Sequence, residues 1–94
     1  MALLFEWDPR KARKNLAVHG ISFDEASTVF RDSLSVTIAD PLHSEDEERF
    51  VLIGQSHRNR ILVVVHTERD NRIRIISARL ATSKERNRYE ENAE

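Results

Sequence analysis

Residues Arg72 to Glu91 read R-I-R-I-I-S-A-R-L-A-T-S-K-E-R-N-R-Y-E-E. As far as Arg79 the stretch alternates with the period of a strand, Ile73 and Ile75 on one face and Arg72 and Arg74 on the other. Beyond that the period changes to that of a helix. Thr82 followed by Glu85 forms a capping box, in which hydroxyl and carboxylate satisfy two amides that a helix start leaves unpaired. Strand and helix together present Arg72, Arg74, Arg79, Lys84, Arg86 and Arg88, and the helix also carries Tyr89. Guanidinium groups near an aromatic ring suit phosphate and a nucleobase.

The chain upstream reads as the scaffold for that surface. Leu3 to Trp7 is a short strand. Asp8 at the N-cap and Pro9 at the first helical position start a helix that runs to about His19 and stops at Gly20. Ala12, Leu16 and His19 share its apolar stripe, with Arg10, Arg13, Lys14 and Ala17 opposite and Lys11 on a flank. Ser22 with Glu25 repeats the capping-box signature, and Phe23, Ala26 and Phe30 give a short helix ending near Arg31. Leu34–Ala39, Phe50–Ile53 and Ile61–Val65 are strands, separated by an acidic loop over Ser44–Glu48 and a turn over Ser56–Asn59; Arg69-Asp70-Asn71 turns into the last strand. The third and fourth strands are apolar at every central position, so both faces of the sheet are covered. Two helices cover one face, and the third helix or a partner protein covers the other. The expected architecture is α+β, in the order β-α-α-β-β-β-β-α, with a mostly antiparallel sheet.

A chain of 94 residues suits one domain, spanning 1–94, with a modest core. It has no cysteine, which excludes disulfides and thiolate chemistry. No apolar run approaches the roughly 20 residues of a spanning helix, and the opening residues are too few for a signal peptide, so a cytoplasmic protein is expected with no membrane partner. The net charge of −1 conceals segregation, residues 21–48 being acidic and 49–88 basic. Arginine outnumbers lysine twelve to three. That excess favours bidentate phosphate contact, although exposed arginines also keep a sheet soluble.

The four histidines, His19, His43, His57 and His66, lack the short spacing of metal ligands. A loose cation on Asp46, Glu47 and Glu48 is less expected than a solvated loop. With only Gly20 and Gly54 there is no glycine-rich phosphate loop, and no serine lies in a nucleophile elbow. No metal or cofactor is therefore expected. Chemistry on an RNA phosphodiester needs neither, because the 2′-hydroxyl is the nucleophile and the protein need only position it, move protons and stabilise charge.

Several segments resemble the BrnT family of bacterial toxins. They are Phe5-Glu-Trp-Asp-Pro with Lys11 and Asn15, His19-Gly-Ile-Ser-Phe with Glu25-Ala26, Glu48-Arg-Phe-Val-Leu-Ile-Gly54, Val64-Val-His-Thr-Glu68, and Arg74-Ile-Ile-Ser-Ala-Arg79 with Glu85 and Tyr89. The resemblance covers nearly the whole chain in order. It implies a RelE-like fold and a ribonuclease activity that arrests translation. It also implies a BrnA-like antitoxin with a ribbon-helix-helix DNA-binding portion, in a hetero-oligomer that represses its own operon and meets operator DNA only through the antitoxin.

Each candidate catalytic residue has a structural alternative. Arg79, at the end of the last strand, is a phosphate or transition-state clamp, or else it pairs with Glu85 or Glu90. Tyr89 stacks on a base or shuttles a proton, or docks the last helix on the sheet. His19 supplies an imidazole, the side chain that exchanges protons near neutrality, or sits in the core bonded to a carbonyl. Lys11 faces the scissile phosphate or is solvated. Glu68 is a general base or the partner of Arg72 or Arg74, and His66 alternates onto its face. Trp7 reads as core more than as a stacking platform. Arg72, Arg74, Arg60, His66 and Arg86 are assigned to RNA or antitoxin binding. The favoured function is a metal-independent endoribonuclease toxin. The other class is a non-catalytic RNA- or protein-binding module acting as operon co-repressor.

Overall fold

A computed structural model describes residues 3–40 and 48–93. Apart from Glu48, the expected acidic loop lies outside those residues, as do His43 and two of the three carboxylates weighed for a cation. The elements are β1 (Leu4–Glu6), α1 (Pro9–His19), α2 (Phe23–Thr28) running into a 3₁₀ turn (Val29–Arg31), β2 (Val36–Ala39), β3 (Arg49–Gln55), β4 (Ile61–Arg69), β5 (Arg72–Leu80) and α3 (Ser83–Ala93). The strands form one sheet in the order β1-β5-β4-β3-β2, antiparallel except where β1 lies parallel to β5. The fold is α+β.

Local chemistry sets most boundaries. Asp8 accepts from the Arg10 amide at 2.8 Å, and Gly20, at φ 71°, closes α1 in the left-handed conformation. Strand β2 begins two residues later than the alternation suggests. Asp32 takes the Leu34 amide at 2.9 Å and its carbonyl takes the Ser35 amide at 3.1 Å, so a turn holds the backbone there. Asp70 and Asn71, both at positive φ, join β4 to β5 in a two-residue hairpin of the kind that matches strand twist. A bulge follows: Val65 pairs with Ser77 and His66 with Ile75, leaving Ile76 extra.

Helices α1 and α2 cover one face of the sheet. Ile21, Phe23, Ala26 and Val29 pack there on Leu52, Leu62, Val64, Ile75 and Ala78, with Phe5, Trp7 and Phe30 around them. Trp7 stands edge-on to Phe23 at 5.9 Å, a core position. The stripe expected on α1 is corrected here. Leu16 is 52% exposed and His19 is exposed, while Asn15 faces inward at 6%. Asn15 wins because β1 pairs only with Arg72–Arg74, which leaves the outer edge of β5 open beyond that point. Its amide donates to the Ala78 carbonyl at 2.8 Å and to the Ile21 carbonyl at 3.0 Å, and its oxygen accepts from the Ala78 amide at 3.1 Å. One side chain thus does what another strand would do for buried backbone groups.

Helix α3 covers part of the opposite face. Tyr89 packs there with Ile53 and Val63, and Ile38, Val51, Ile61 and Ala81 surround them. Tyr89 is the helix's only large apolar contribution. A cleft of about 620 Å³ remains beside α3, floored by Ile38, Val51 and Ile53 and rimmed by Asp40, Lys84, Glu85, Arg88 and Glu91.

Candidate functional site

At the end of β5, Arg79 forms a bidentate pair with Glu85, 2.7 Å to one carboxylate oxygen and 2.9 Å to the other. This is the structural alternative weighed for Arg79. Glu85 also accepts from the Thr82 amide at 2.9 Å while Thr82 Oγ1 accepts from the Glu85 amide at 3.2 Å, so the capping box is complete. The Arg79 guanidinium, followed by the Thr82 contacts, holds the Glu85 carboxyl down to about 2 against burial. Such a carboxylate is a poor proton acceptor at neutral pH.

Tyr89 is 6% exposed, and its hydroxyl donates to Asp32 Oδ2 at 2.6 Å. Burial, and then the Asp32 charge, push its phenol up to about 12. Burial opposes the charge on Asp32, but the Tyr89 hydroxyl and the Gln55 and Leu34 amides outweigh it and keep the carboxyl below its ordinary range. The ring therefore docks α3, with no face left for a base. Asn92 adds a contact to the Leu34 carbonyl at 3.3 Å.

The residues assigned to binding are mostly engaged within the chain. Arg60 pairs with Glu25, which is 2% exposed and also accepts from Ser56 Oγ at 2.7 Å. Arg60 thereby lowers the Glu25 carboxyl despite its burial. The second capping box is only half formed for this reason: Ser22 Oγ accepts the Glu25 amide at 3.0 Å, but the carboxylate turns inward. Arg74 donates to Glu6 at 2.9 Å and Arg72 lies 4.0 Å from it, so their partner comes from β1 rather than being Glu68. Glu68 is exposed, beside the β4–β5 turn. His66 shares the face of Glu68 but is 4% exposed, edge-on to Phe30 at 4.8 Å and stacked on Phe50 at 5.7 Å. Among the described residues its Nδ1 finds no partner in good hydrogen-bond geometry, and burial pulls its pKa below the ordinary value, opposed by the nearby Val64 backbone and Glu68. It is removed from any surface RNA could reach. Arg86 is exposed on α3, reaching Ser83 at 3.5 Å.

Two of the catalytic candidates do share a site. Lys11 and His19 line one groove of about 180 Å³ between α1 and β5, with Lys14, Val18 and the bulged Ile76, and Asn15 at its base. Residues 11, 15, 18 and 19 lie on one side of the helix by their spacing. The groove sits where β1 has ended and Asn15 seals the β5 edge, so the same hydrogen bonds that fix α1 also set the groove's floor. A cation and an imidazole lining one groove, with the apolar Val18 and Ile76 beside them, can contact a phosphate and move a proton. Arg79, Tyr89 and Glu68 lie elsewhere. Among the described residues no three histidines or carboxylates gather as a metal site requires.

Sequence reasoning assigned no role to Lys14 or Ile76. Lys14 carried the signal of an unbalanced basic helix, whereas Ile76 depends on a bulge that alternation alone does not reveal. Nor did it foresee Asn15 and Glu25 as buried anchors or Asp32 as a half-buried one, since polar residues at these positions look solvated until the tertiary partners are known.

Comparison with known proteins gives the family. The sequence pattern of the family described as "Ribonuclease toxin, BrnT, of type II toxin-antitoxin system" matches residues 7–85. The crystal structure of the ribonuclease toxin BrnT of Brucella abortus superposes with a TM-score of 0.65 at 25% identity, covering 87% of this chain and 100% of that one. No curated protein matches by sequence. The matched segment includes the α1 groove, the β5 arginines and the α3 cap, and the chain belongs to the BrnT family of ribonuclease toxins of type II toxin-antitoxin systems.

Proposed function

We propose that this toxin is a metal-independent endoribonuclease whose cleavage site is the groove between α1 and β5. The observation that carries the reading is that Lys11 and His19 both line that groove. His19 takes the proton of a 2′-hydroxyl as the 2′-oxygen bonds to phosphorus. The P–O5′ bond breaks, and O5′ takes a proton from solvent. The products are a 2′,3′-cyclic phosphate and a 5′-hydroxyl. Lys11 stabilises the charge that gathers on the phosphoryl oxygens.

Arg79, Tyr89 and Arg60 have structural roles in this reading, because each is held by a carboxylate of the chain itself. The toxin acts in the cytoplasm with a RelE-like fold and arrests translation by cutting RNA. A BrnA-like ribbon-helix-helix antitoxin neutralises it and carries the complex to operator DNA. The apolar cleft beside α3 suits a segment of that antitoxin, in a contact that resists high salt because apolar burial is not screened.

Growth arrest on induction, at matched protein levels, tests the proposal. His19→Ala and Lys11→Ala each relieve arrest, while any folded Arg79→Ala retains it. Relief by Arg79→Ala in a folded protein, with full toxicity of His19→Ala, returns the site to the end of β5.

A further inference from the structure

The cations of this protein differ in their partners. Arg60, Arg74 and Arg79 each donate to a carboxylate of the chain, and Arg58 and Arg72 stand 4.0 Å from one. Arg10, Lys11, Arg13 and Lys14 have no such partner among the described residues. All four are exposed on α1, whose eleven residues include no acid. Arg31, Arg49, Lys84, Arg86 and Arg88 likewise have no carboxylate within 4.0 Å among the described residues, but helix α3 intersperses its three cations with Glu85, Glu90 and Glu91, whereas α1 has none between its own.

The cations of α1 run against local stability. Arg10 and Lys11 stand in the first helical turn, where the helix dipole disfavours positive charge; the Asp8 carboxylate at the N-cap offsets part of this, and the helix itself has no acid to balance Arg13 and Lys14. A locally unfavourable placement kept in a well-capped helix is where function is to be sought. Beside these charges Val18, 65% exposed, and Ile76 make the apolar part of the groove. The β5 bulge supplies Ile76 as the extra residue there.

We infer that single-stranded RNA is bound along α1, its phosphates on Arg10, Lys11, Arg13 and Lys14 and an unpaired base against Val18 and Ile76, and not along the arginines of β5. This rests on the ribonuclease reading and deepens it. Unpaired RNA is required because a base can reach an apolar floor only when it is out of a helix; in a duplex the base faces are stacked away. Polyanion contact through unpaired cations releases counterions, whereas an arginine already neutralised by its own carboxylate contributes little.

The test uses the full chain and a fluorescent 2′-O-methyl oligoribonucleotide of about 12 residues, a probe without a nucleophile, so binding is read without cleavage. Loss of cleavage activity and loss of this binding are thus separate results. Arg10→Ala with Lys14→Ala lowers affinity at least tenfold at low salt and reduces the slope of log K against log salt by about 1.4, two single-strand phosphate contacts at roughly 0.7 each. Lys84→Ala with Arg88→Ala on α3 leaves binding unchanged. The same oligonucleotide annealed to its complement binds more weakly. Unchanged affinity and slope in the α1 double variant overturn the inference. So does a larger loss from Arg72→Ala with Arg74→Ala, equal binding of duplex, or an α1 double variant that loses only the antitoxin.

Discussion

Asn15→Ala is the change to which the fold should be most sensitive for its size. The wild-type amide makes three hydrogen bonds, two to Ala78 and one to Ile21, at a residue 6% exposed. Removing it leaves the Ala78 amide and two carbonyls without partners, at about 1–3 kcal/mol for each buried group. Carbonyls keep some residual satisfaction, so the lower half of that range applies and the total for the three groups is roughly 3–6 kcal/mol. That is a large share of the 5–15 kcal/mol that holds an ordinary domain, and it lowers Tm by about 15 °C or more. Urea unfolding followed by circular dichroism reads it directly as a midpoint shift at constant slope. Asn15→Asp sharpens the test. Its carboxylate still accepts the Ala78 amide but turns a negative oxygen toward two carbonyls. Its deficit relative to wild type should therefore be largest at neutral pH and narrow on acidification, as the protonated carboxyl regains one donor. A loss below about 1 kcal/mol in Asn15→Ala would show that water or the neighbouring backbone takes over, and that the side chain does not hold α1 to β5.

Three further outcomes follow from the buried and paired groups. Because burial depresses the His66 pKa in the folded state, the unfolded chain binds that proton first, and stability falls as pH drops below about 6.5; His66→Phe flattens this limb, and parallel stability curves between pH 7.5 and 5 would contradict it. Glu85, held at about 2 against an ordinary 4.5, contributes stability above pH 4.5 that is lost as pH falls toward 2. Glu85→Gln removes that contribution to the acid limb, and the change is modest because Arg79 is 42% exposed and solvent screens the pair. Tyr89→Phe costs roughly 1–2 kcal/mol through the lost bond to Asp32. As Tyr89 is the only tyrosine, absorbance at alkaline pH reads its ionisation alone, with the midpoint near 12 in the folded protein.

The sequence carried the order of elements because capping and turn residues act locally. Asp8, Gly20, Thr82 with Glu85, and Asp70-Asn71 each mark a boundary that depends on nearby backbone alone. Strand ends were less legible: β4 extends from the expected Val65 to Arg69 because its hairpin partner continues, a property of two strands rather than one. The inward face of α1 was misread because apolar spacing favoured Leu16, whereas an open strand edge demanded the hydrogen-bonding side chain of Asn15. Charge was legible only as a surplus. Which arginines are free depends on Glu6, Glu25 and Glu85, brought from as far as 68 residues away. That is why the pairing of the β5 arginines with carboxylates was not legible in the arginine strand itself.

The most direct measurement is cleavage of a 5′-labelled single-stranded RNA by the purified toxin in excess chelator, with the product ends identified and His19→Ala run alongside. Cleavage should persist in chelator and leave 2′,3′-cyclic phosphate and 5′-hydroxyl ends. His19→Ala, still folded, should be slower by at least about 10²-fold, as expected on loss of a general base. Cleavage that appears only on adding a divalent metal, or a His19→Ala protein that cuts at the wild-type rate, would contradict metal-free chemistry in the α1 groove.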